Sequence, residues 1–476
     1  MAELWELDAC GAARAIRDRV TTAEALAECL VRRVDAHRDL NAFITLDADQ
    51  IIEAARRADA KSRRGDVLGP LHGVPVTFKD NIDVEFYPTT AGSPALRENI
   101  PADNAPVVAA LIGAGAIAFG KNTMHELAFG ITCNNAAFGA VRNPYDPAMI
   151  PGGSSGGTAV AVAARMVPAG IGTDTGGSVR VPAALCGCCG FRPTVGRWPQ
   201  GGIVPIAATR DTAGPIARSV DDLALIDGVV TGDQTPIMPV RPDRIRLGVP
   251  RQYFWADLDP ETARLGENAL DVLRDAGIQL VEADFDEHVG RLNQEVSFVI
   301  ALYEPRRDVA AYLRSSNSAL TFEQVIAGVS SPDVRQTMNA ITDPATQVPH
   351  EAYLRARDHH RPRLIDTYRR YFADNRIDAA IFPTTPLPAR PIGEDETVAI
   401  GNRRFPTFAT FIRNTDPGSN AGLPGVTIPI GTAKDGLPIG LALEGPAGSD
   451  RRLLAIANAI ARMFPSLDAP PEMKRR

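Results

Sequence analysis

Hydrophobic positions along this chain alternate between a period near 3.6 and short apolar runs, the pattern of helices interleaved with strands. In TTAEALAECLVRRVDAH, Ala25, Leu26, Leu30 and Val34 share one helical face, and Thr21 with Glu24 reads as a capping box. Residues 42–46 then read as a short strand, and a second helix runs to about Arg64. Gly69-Pro70 and Gly73 mark turns before the apolar strand 74–78, which delivers Lys79 and Asp80 at its end. Residues 103–114 read as helix and 116–119 as strand.

The same rhythm continues downstream. Residues 160–166 extend a helix that starts with Ser154 or Ser155 near its N-cap, and 167–172 form the next strand. Ser219-Val220-Asp221-Asp222 reads as a capping box for a helix to about Val230, followed by a proline-rich surface connection over 231–244. Strand 247–250, helix 260–276 and strand 279–281 make a further α/β unit. Residues 286–372 are mostly helical and amphipathic. Strand 378–382 leads into a loop rich in Pro, Gly and charge to about Arg404. Strands 426–430 and 439–443 flank the turn Lys434-Asp435-Gly436, and helix 450–464 closes the chain. With no repeat and no composition shift to divide it, the chain reads as one α/β domain over residues 1–476 with a helical excursion in its second half.

Bulk properties narrow the function. The 476 residues carry a formal net charge of -7 with Lys and Arg scattered, which disfavours nucleic acid as a partner. No apolar run approaches a membrane span, and MAELWELDACGAARAI has neither a basic n-region nor an apolar h-region, so a cytoplasmic setting is expected. Six cysteines are too few for a disulfide scaffold in a chain this long. Cys186-Gly187-Cys188-Cys189 lacks metal-site spacing and reads as small buried residues.

Chemistry concentrates in two glycine-serine nests, Gly152-Gly153-Ser154-Ser155-Gly156-Gly157 and Thr175-Gly176-Gly177-Ser178. Glycines beside a serine let backbone N–H groups converge on an anion or on the oxyanion of acyl transfer. Ser178 therefore reads as a nucleophile. Lys79, at the end of an apolar strand, can be desolvated, which would pull its pKa from ~10.4 toward the range of a neutral base. A rival reading is that Gly152-Gly153-Ser154-Ser155-Gly156 matches G-x-S-x-G, which would make Ser154 the nucleophile with a later Asp and His. His288, His350, His359 and His360 are available, but none sits in a motif-like setting, and His359-His360 reads as a solvated helix face.

GVPVTFKDNID, GKNTMHELAFG, VRNPYDP, PGGSSGGTAVAVAA and GTDTGGSVRVPAALCGCCGFRPT together resemble the amidase signature family. The likeness is dense over about 69–231 and resumes at 380–386 and 420–456. It implies an α/β amidase-signature fold, a large mixed twisted β-sheet covered by helices on both faces. It also implies a catalytic triad of Lys79, Ser154 and Ser178, with a cis peptide at Gly153–Ser154. The oxyanion donors would be the N–H groups of Thr175, Gly176, Gly177 and Ser178, and Ser155, Asp174 and Arg180 would orient the triad. Ser178 would be acylated through a Lys79–Ser154 proton relay, with no metal and no organic cofactor.

Residues 123–132 and 413–422 look most like the family's bacterial indoleacetamide and mandelamide hydrolases. That implies a small-molecule arylalkyl primary amide as substrate, and a pocket including Met124, Phe129, Gly130, Ile131, Thr132 and Cys133. Met124, Phe129 and Ile131 read equally well as core, and His125 reads as a local hydrogen-bonding residue. The excursion at 286–372 is expected to shape the acyl side of the pocket. The same chemistry suits anilides, esters and carbamates, as in an aryl acylamidase or urethanase. An ammonia-delivering A-type subunit of an amidotransferase is a further alternative. The family's habit allows a homodimer.

Overall fold

The computed structural model describes residues 3–233, 235–316 and 318–470. In chain order its strands begin with β1 (Phe43–Thr45), β2 (Pro75–Lys79), β3 (Ile117–Asn122), β4 (Asn134–Asn135) and β5 (Gly139–Ala140). There follow β6 (Ala169–Asp174), β7 (Cys189–Arg192), β8 (Thr212–Ala217), β9 (Arg246–Val249) and β10 (Gln279–Glu282). The last are β11 (Ala379–Pro383), β12 (Thr397–Ile400), β13 (Arg403–Pro406), β14 (Gly425–Thr432) and β15 (Pro438–Glu444). Among the described residues, one 11-stranded sheet has the order β1-β3-β2-β6-β8-β7-β14-β15-β11-β9-β10. It is mixed: β2 runs parallel to β3 and β6, whereas β8, β7, β14 and β15 pair antiparallel with their neighbours.

The sheet is covered on both faces, so its central strands carry few polar positions. Every residue of β2, β6, β8 and β15 is buried. Alternate residues of β15 take opposite sides. Gly440 lies against Ala184 of the Arg180–Leu185 helix, while Leu441 and Leu443 join the main core with Leu270, Leu273 and Leu454. β2 opens at Pro75, where a missing N–H is tolerated at a strand's first residue. Val76 and Phe78 then face one side, and Thr77 and Lys79 the other.

Several boundaries differ from the sequence expectation. The helix expected from Thr21 is Ala23–Ala36, capped by Thr22, whose hydroxyl accepts from the Ala25 N–H. Thr22 is the residue three before that N–H, so the cap moves by one and Glu24 returns no bond to it. At the Val220–Thr231 helix, Ser219 accepts from the Asp222 N–H, but the Asp222 carboxylate turns away to the Cys10 N–H; the cap is one-sided. Ser155 occupies the N-cap of the Gly156–Ala163 helix without capping it, because its hydroxyl bonds Thr173 instead. The helix Ala9–Arg17 and strands β7 and β8 were not anticipated. β7 and β8, CGFR and TAGPIA, are too rich in small residues and proline to show alternation. The charged loop before Arg404 holds the hairpin β12–β13. In the expected connection 231–244, Gln234 lies outside the described residues, and Pro242–Arg244 forms a 3-10 turn. The excursion is helical as expected, from Val289–Gln294 through Ser297–Tyr303, Pro305–Ser315, Phe322–Ala327, Pro332–Thr342 and His350–Arg355 to Arg361–Asn375.

Two glycines separate close approach from mere flexibility. A Cβ on Gly157 would run into the carbonyl oxygens of Thr123 and Ala42, where the Gly156–Ala163 helix meets the backbone beside β3. Gly113, at the end of the Pro106–Gly113 helix, has open space around it. Gly157→Ala is expected to lower the thermal midpoint or prevent soluble expression, whereas Gly113→Ala should be neutral or stabilising by up to ~1 kcal/mol. Differential scanning fluorimetry of the two variants checks the contrast.

Candidate active site

Lys79 leaves the end of β2 with no exposed surface. Its Nζ lies 2.7 Å from Ser154 Oγ and 2.8 Å from Thr173 Oγ1. Among the described residues no carboxylate comes within ion-pair distance of it. A second buried lysine shows the contrast: Lys121, on β3, has Asp80 Oδ1 at 3.4 Å, with the Pro88 carbonyl and Thr89 Oγ1 completing its shell. Burial lowers the Lys79 pKa to about 7, and the more distant Cys133, Asp174 and Asp211 only partly oppose it. Near neutrality a large fraction of this amine is unprotonated, with its lone pair available to the Ser154 hydroxyl.

The two nests meet. The peptide Gly153–Ser154 is cis. Ser154 is fully buried, and the Ser155 N–H donates to the Ser178 carbonyl at 3.2 Å. Ser155 Oγ bridges to the next strand, donating to the Thr173 carbonyl at 3.2 Å and accepting from its N–H at 3.3 Å. Gly177 has φ +144, and a Cβ there would strike the Thr415 hydroxyl, which donates to the Gly176 carbonyl at 2.7 Å. The N–H groups of Gly176, Gly177 and Ser178 meet no acceptor among the described residues. They remain available to a ligand.

Asp174 shapes this turn. Its carboxylate accepts from the N–H of Val179 at 3.2 Å and of Arg180 at 3.4 Å, closing the loop that carries Ser178. Arg180 Nε and Nη2 reach the same carboxylate at 3.1 and 3.2 Å, and Arg192 Nη1 meets it at 2.9 Å. Burial pushes this carboxyl up, but the two guanidinium groups outweigh it and hold Asp174 far below the usual range. Arg180 also reaches Glu444 Oε1 at 2.7 Å, Ser419 Oγ at 2.6 Å and the Thr415 carbonyl at 3.0 Å. Glu444 is pushed up to about 7, chiefly by burial.

Ser178 opens onto a cavity of about 340 Å³. Phe129, Gly130, Ile131 and Thr132 line it, and Met124 and Cys133 do not. Met124 is fully buried in a cluster with Ala128 and Ile206. Cys133 is packed behind Ser154, its Sγ donating to the Ser154 carbonyl at 3.4 Å. These two residues therefore support the pocket wall instead of forming its surface. His125 is buried; its Nδ1 accepts from the Cys133 N–H, and its ring leaves no room for a Cβ on Gly130. Of the rival histidines, His288 caps a helix, His350 meets Tyr303 Oη and His360 pairs with Glu295; neither they nor His359 line the Ser178 cavity.

Much of the wall comes from segments that carry no motif. The excursion contributes Ser297, Phe298 and Leu302 from one helix and Asp333, Gln336 and Thr337 from another. Phe408 and Ile412 come from the Thr407–Ile412 helix. Arg210 and Asp416 form a buried ion pair at the edge, with Asn293 donating to Asp416 at 2.6 Å. A second cavity of about 330 Å³ reaches Thr173, Asn81, Asp211 and Tyr312 and shares Thr175 with the first. Asp211, pushed up to about 6 by burial, accepts from Thr175 Oγ1 at 2.7 Å. Thr173 was missed by the sequence reading, although its place beside Asp174 was a signal that could have found it; Asp211, Arg210 and Asp416 carry no short-range signal of their own.

Comparison with known proteins bears on the family and the fold. The family model described as Amidase matches residues 24–454. An indoleacetamide hydrolase of Rhizobium radiobacter is 46% identical, over 91% of this chain and 92% of that protein. A mandelamide hydrolase of Pseudomonas putida is 43% identical, over 96% and 91%. Among solved structures, an amidase superposes with TM-score 0.86 at 33% identity, covering 96% of this chain and 100% of the other. The native peptide amidase of Stenotrophomonas maltophilia gives 0.83 at 30%, covering 98% of each.

The buried Lys79 amine has a signature in stability. Unfolded, it binds a proton up to ~10.4; folded, only up to about 7. Between those values the unfolded state holds the extra proton, so stability rises with pH over that window. Lys79→Met should flatten this rise and stabilise the fold at pH 7 and below, by on the order of a few kcal/mol. Denaturant midpoints of both proteins from pH 6 to 10 test it; parallel curves would contradict the depressed pKa.

Proposed function

The chain belongs to the amidase family, and from that membership we propose that it hydrolyses arylalkyl primary amides to the acid and ammonia through an acyl-enzyme on Ser178. The observation that carries the mechanism is the contact of the fully buried, counter-ion-free Lys79 amine with Ser154 Oγ at 2.7 Å. Neutral Lys79 takes the Ser154 proton as Ser154 takes the proton of Ser178. The Ser178 oxygen attacks the amide carbon, and the oxyanion forms against the N–H groups of Thr175, Gly176, Gly177 and Ser178. The relay then returns the proton to the leaving nitrogen, ammonia departs, and water repeats the cycle on the ester. Asp174, Arg180 and Ser155 keep the two nests in register.

The substrate class rests on the relatives and on the pocket. The similar indoleacetamide and mandelamide hydrolases act, by name, on arylalkyl primary amides. The cavity beside Ser178 has the aromatic and aliphatic lining that an aryl group needs, from Phe129, Ile131, Phe298, Phe408 and Ile412. In the same reading the enzyme works in the cytoplasm as a homodimer. Six cysteines without a disulfide are in keeping with a reducing compartment.

Four measurements test the proposal. Ser178→Ala and Lys79→Met should each lose at least ~10³-fold in kcat/KM on indole-3-acetamide while remaining folded, and a fluorophosphonate should label Ser178. Labelling of Ser154 would instead make the first nest the nucleophile's site. Hydrolysis of anilides, esters or carbamates in preference to primary amides would reassign the leaving group. The pH profile of kcat/KM should rise with a midpoint near the Lys79 pKa of about 7, because only the neutral amine accepts a proton. A flat profile from pH 6 to 9 would contradict Lys79 as the base.

A further inference from the structure

The Met–His–Glu stretch at 124–126 finds its partner in the helical excursion. Glu126 accepts from the N–H of Ser330 at 3.1 Å and of Ser331 at 2.7 Å, holding the entrance to the Pro332–Thr342 helix. His125 Nε2 lies 2.9 Å from Asp333 Oδ2. Because His125 Nδ1 accepts the Cys133 N–H, its proton sits on Nε2, on the side of Asp333 but off the line to Oδ2. The His125 backbone N–H donates to the Ser154 carbonyl at 3.2 Å. Two adjacent residues thus tie the backbone of the triad to one helix of the pocket wall.

That helix presents Asp333, Gln336 and Thr337 to the Ser178 cavity, a spacing of i, i+3, i+4 that puts all three on one face. Asp333 is the charged member. His125 lies beside one of its oxygens without a well-formed hydrogen bond, and 43% of the side chain stays exposed where it lines the cavity, so acceptor capacity is left for a ligand. It is fixed by its partner and by its place in the first turn of the helix, where a negative charge is favoured. An aryl group filling the cavity strips water from this carboxylate. A substrate without a donor leaves it unpaired; one with a donor satisfies it.

On these contacts, and resting on the arylalkyl-amide reading above, we infer that Asp333 is a specificity-determining residue that accepts a hydrogen bond from an N–H or O–H on the acyl part of the substrate. His125 is its positioning residue. The donor is a ring N–H or a hydroxyl on the carbon next to the carbonyl; both present the same chemistry to the carboxylate.

Matched substrates test it: indole-3-acetamide against benzothiophene-3-acetamide, and mandelamide against phenylacetamide, compared by kcat/KM. The wild-type enzyme should favour the donor-bearing member of at least one pair by ~10-fold or more, and the pair concerned identifies the donor. In Asp333→Ala that ratio should fall toward one. Asp333→Asn keeps the shape and a neutral acceptor, and should fall between. A wild-type ratio near one in both pairs, or an unchanged ratio in either folded variant, overturns the inference while leaving the arylalkyl-amide reading intact. Failure to turn over all four amides, with turnover of another amide or a carbamate, overturns both.

Discussion

The turn carrying Ser178 is held by a carboxylate from the strand before it and by the guanidinium that follows it. Asp174 ends β6 and accepts the N–H groups of Val179 and Arg180, so the five residues between Asp174 and Arg180 are closed into a loop around one buried charge. That charge is stable at zero exposure only because Arg180 and Arg192 face it. Arg180 carries the constraint outward to Glu444 on β15 and to Ser419 and Thr415, so a loop from one half of the chain is braced by strands and helices from the other. Buried ion networks give little net stability, since desolvation offsets attraction. Here the return is geometric: the N–H groups of Gly176, Gly177 and Ser178 point away from the protein's own acceptors and stay in place to do so.

Burial lowers the pKa of both neighbouring lysines, and their partners set them apart. Phe78 pairs with Lys121 and Lys79 with Asn122 across β2 and β3, so the two lysines leave adjacent strands close together. Lys121 has Asp80, whose charge opposes the lowering; Lys79 touches only hydroxyls and is driven toward neutrality. The difference lies in what the next residue does. Asp80 turns back to the Thr90 and Gly92 N–H groups and to Lys121, which keeps its carboxylate away from the Lys79 amine. A carboxylate beside Lys79 would raise its pKa and remove the base.

How far this was legible follows the range of the interactions involved. Lys79 at the end of a strand, Ser154 and Ser178 in glycine nests, and the α/β rhythm all rest on residues close in sequence, where spacing constrains geometry. β7 and β8 were illegible because small residues and proline carry no alternation, and they are strands only through pairing with β6 and β14. Met124 and Cys133 were placed in the pocket by the family resemblance, but Met124 is buried in a cluster with Ala128 and Ile206, and Cys133 turns behind Ser154. Asp211, Arg210 and Asp416 reach the site through tertiary contacts, Arg210 and Asp416 pairing across 206 residues, and no local pattern announces such a pair.

The division of labour between the segments follows from these constraints. Lys79 and the turns that carry Ser154 and Ser178 are set among strands and a short helix whose every residue is buried, where a shift of one side chain disturbs packing throughout. The cavity wall is drawn instead from helices of the excursion and from the Thr407–Ile412 helix, where Phe298 is 46% and Phe408 is 37% exposed. Substitutions there change the shape and polarity offered to a substrate without touching Lys79, Ser154 or Ser178. The His125-Glu126 pair is the joint between the two regimes. It bonds the Ser154 backbone on one side and the entrance of a wall helix on the other, so the wall is registered against the proposed nucleophile. In the proposed mechanism, reaction type is therefore set by the buried core, and substrate choice by the helices docked onto it.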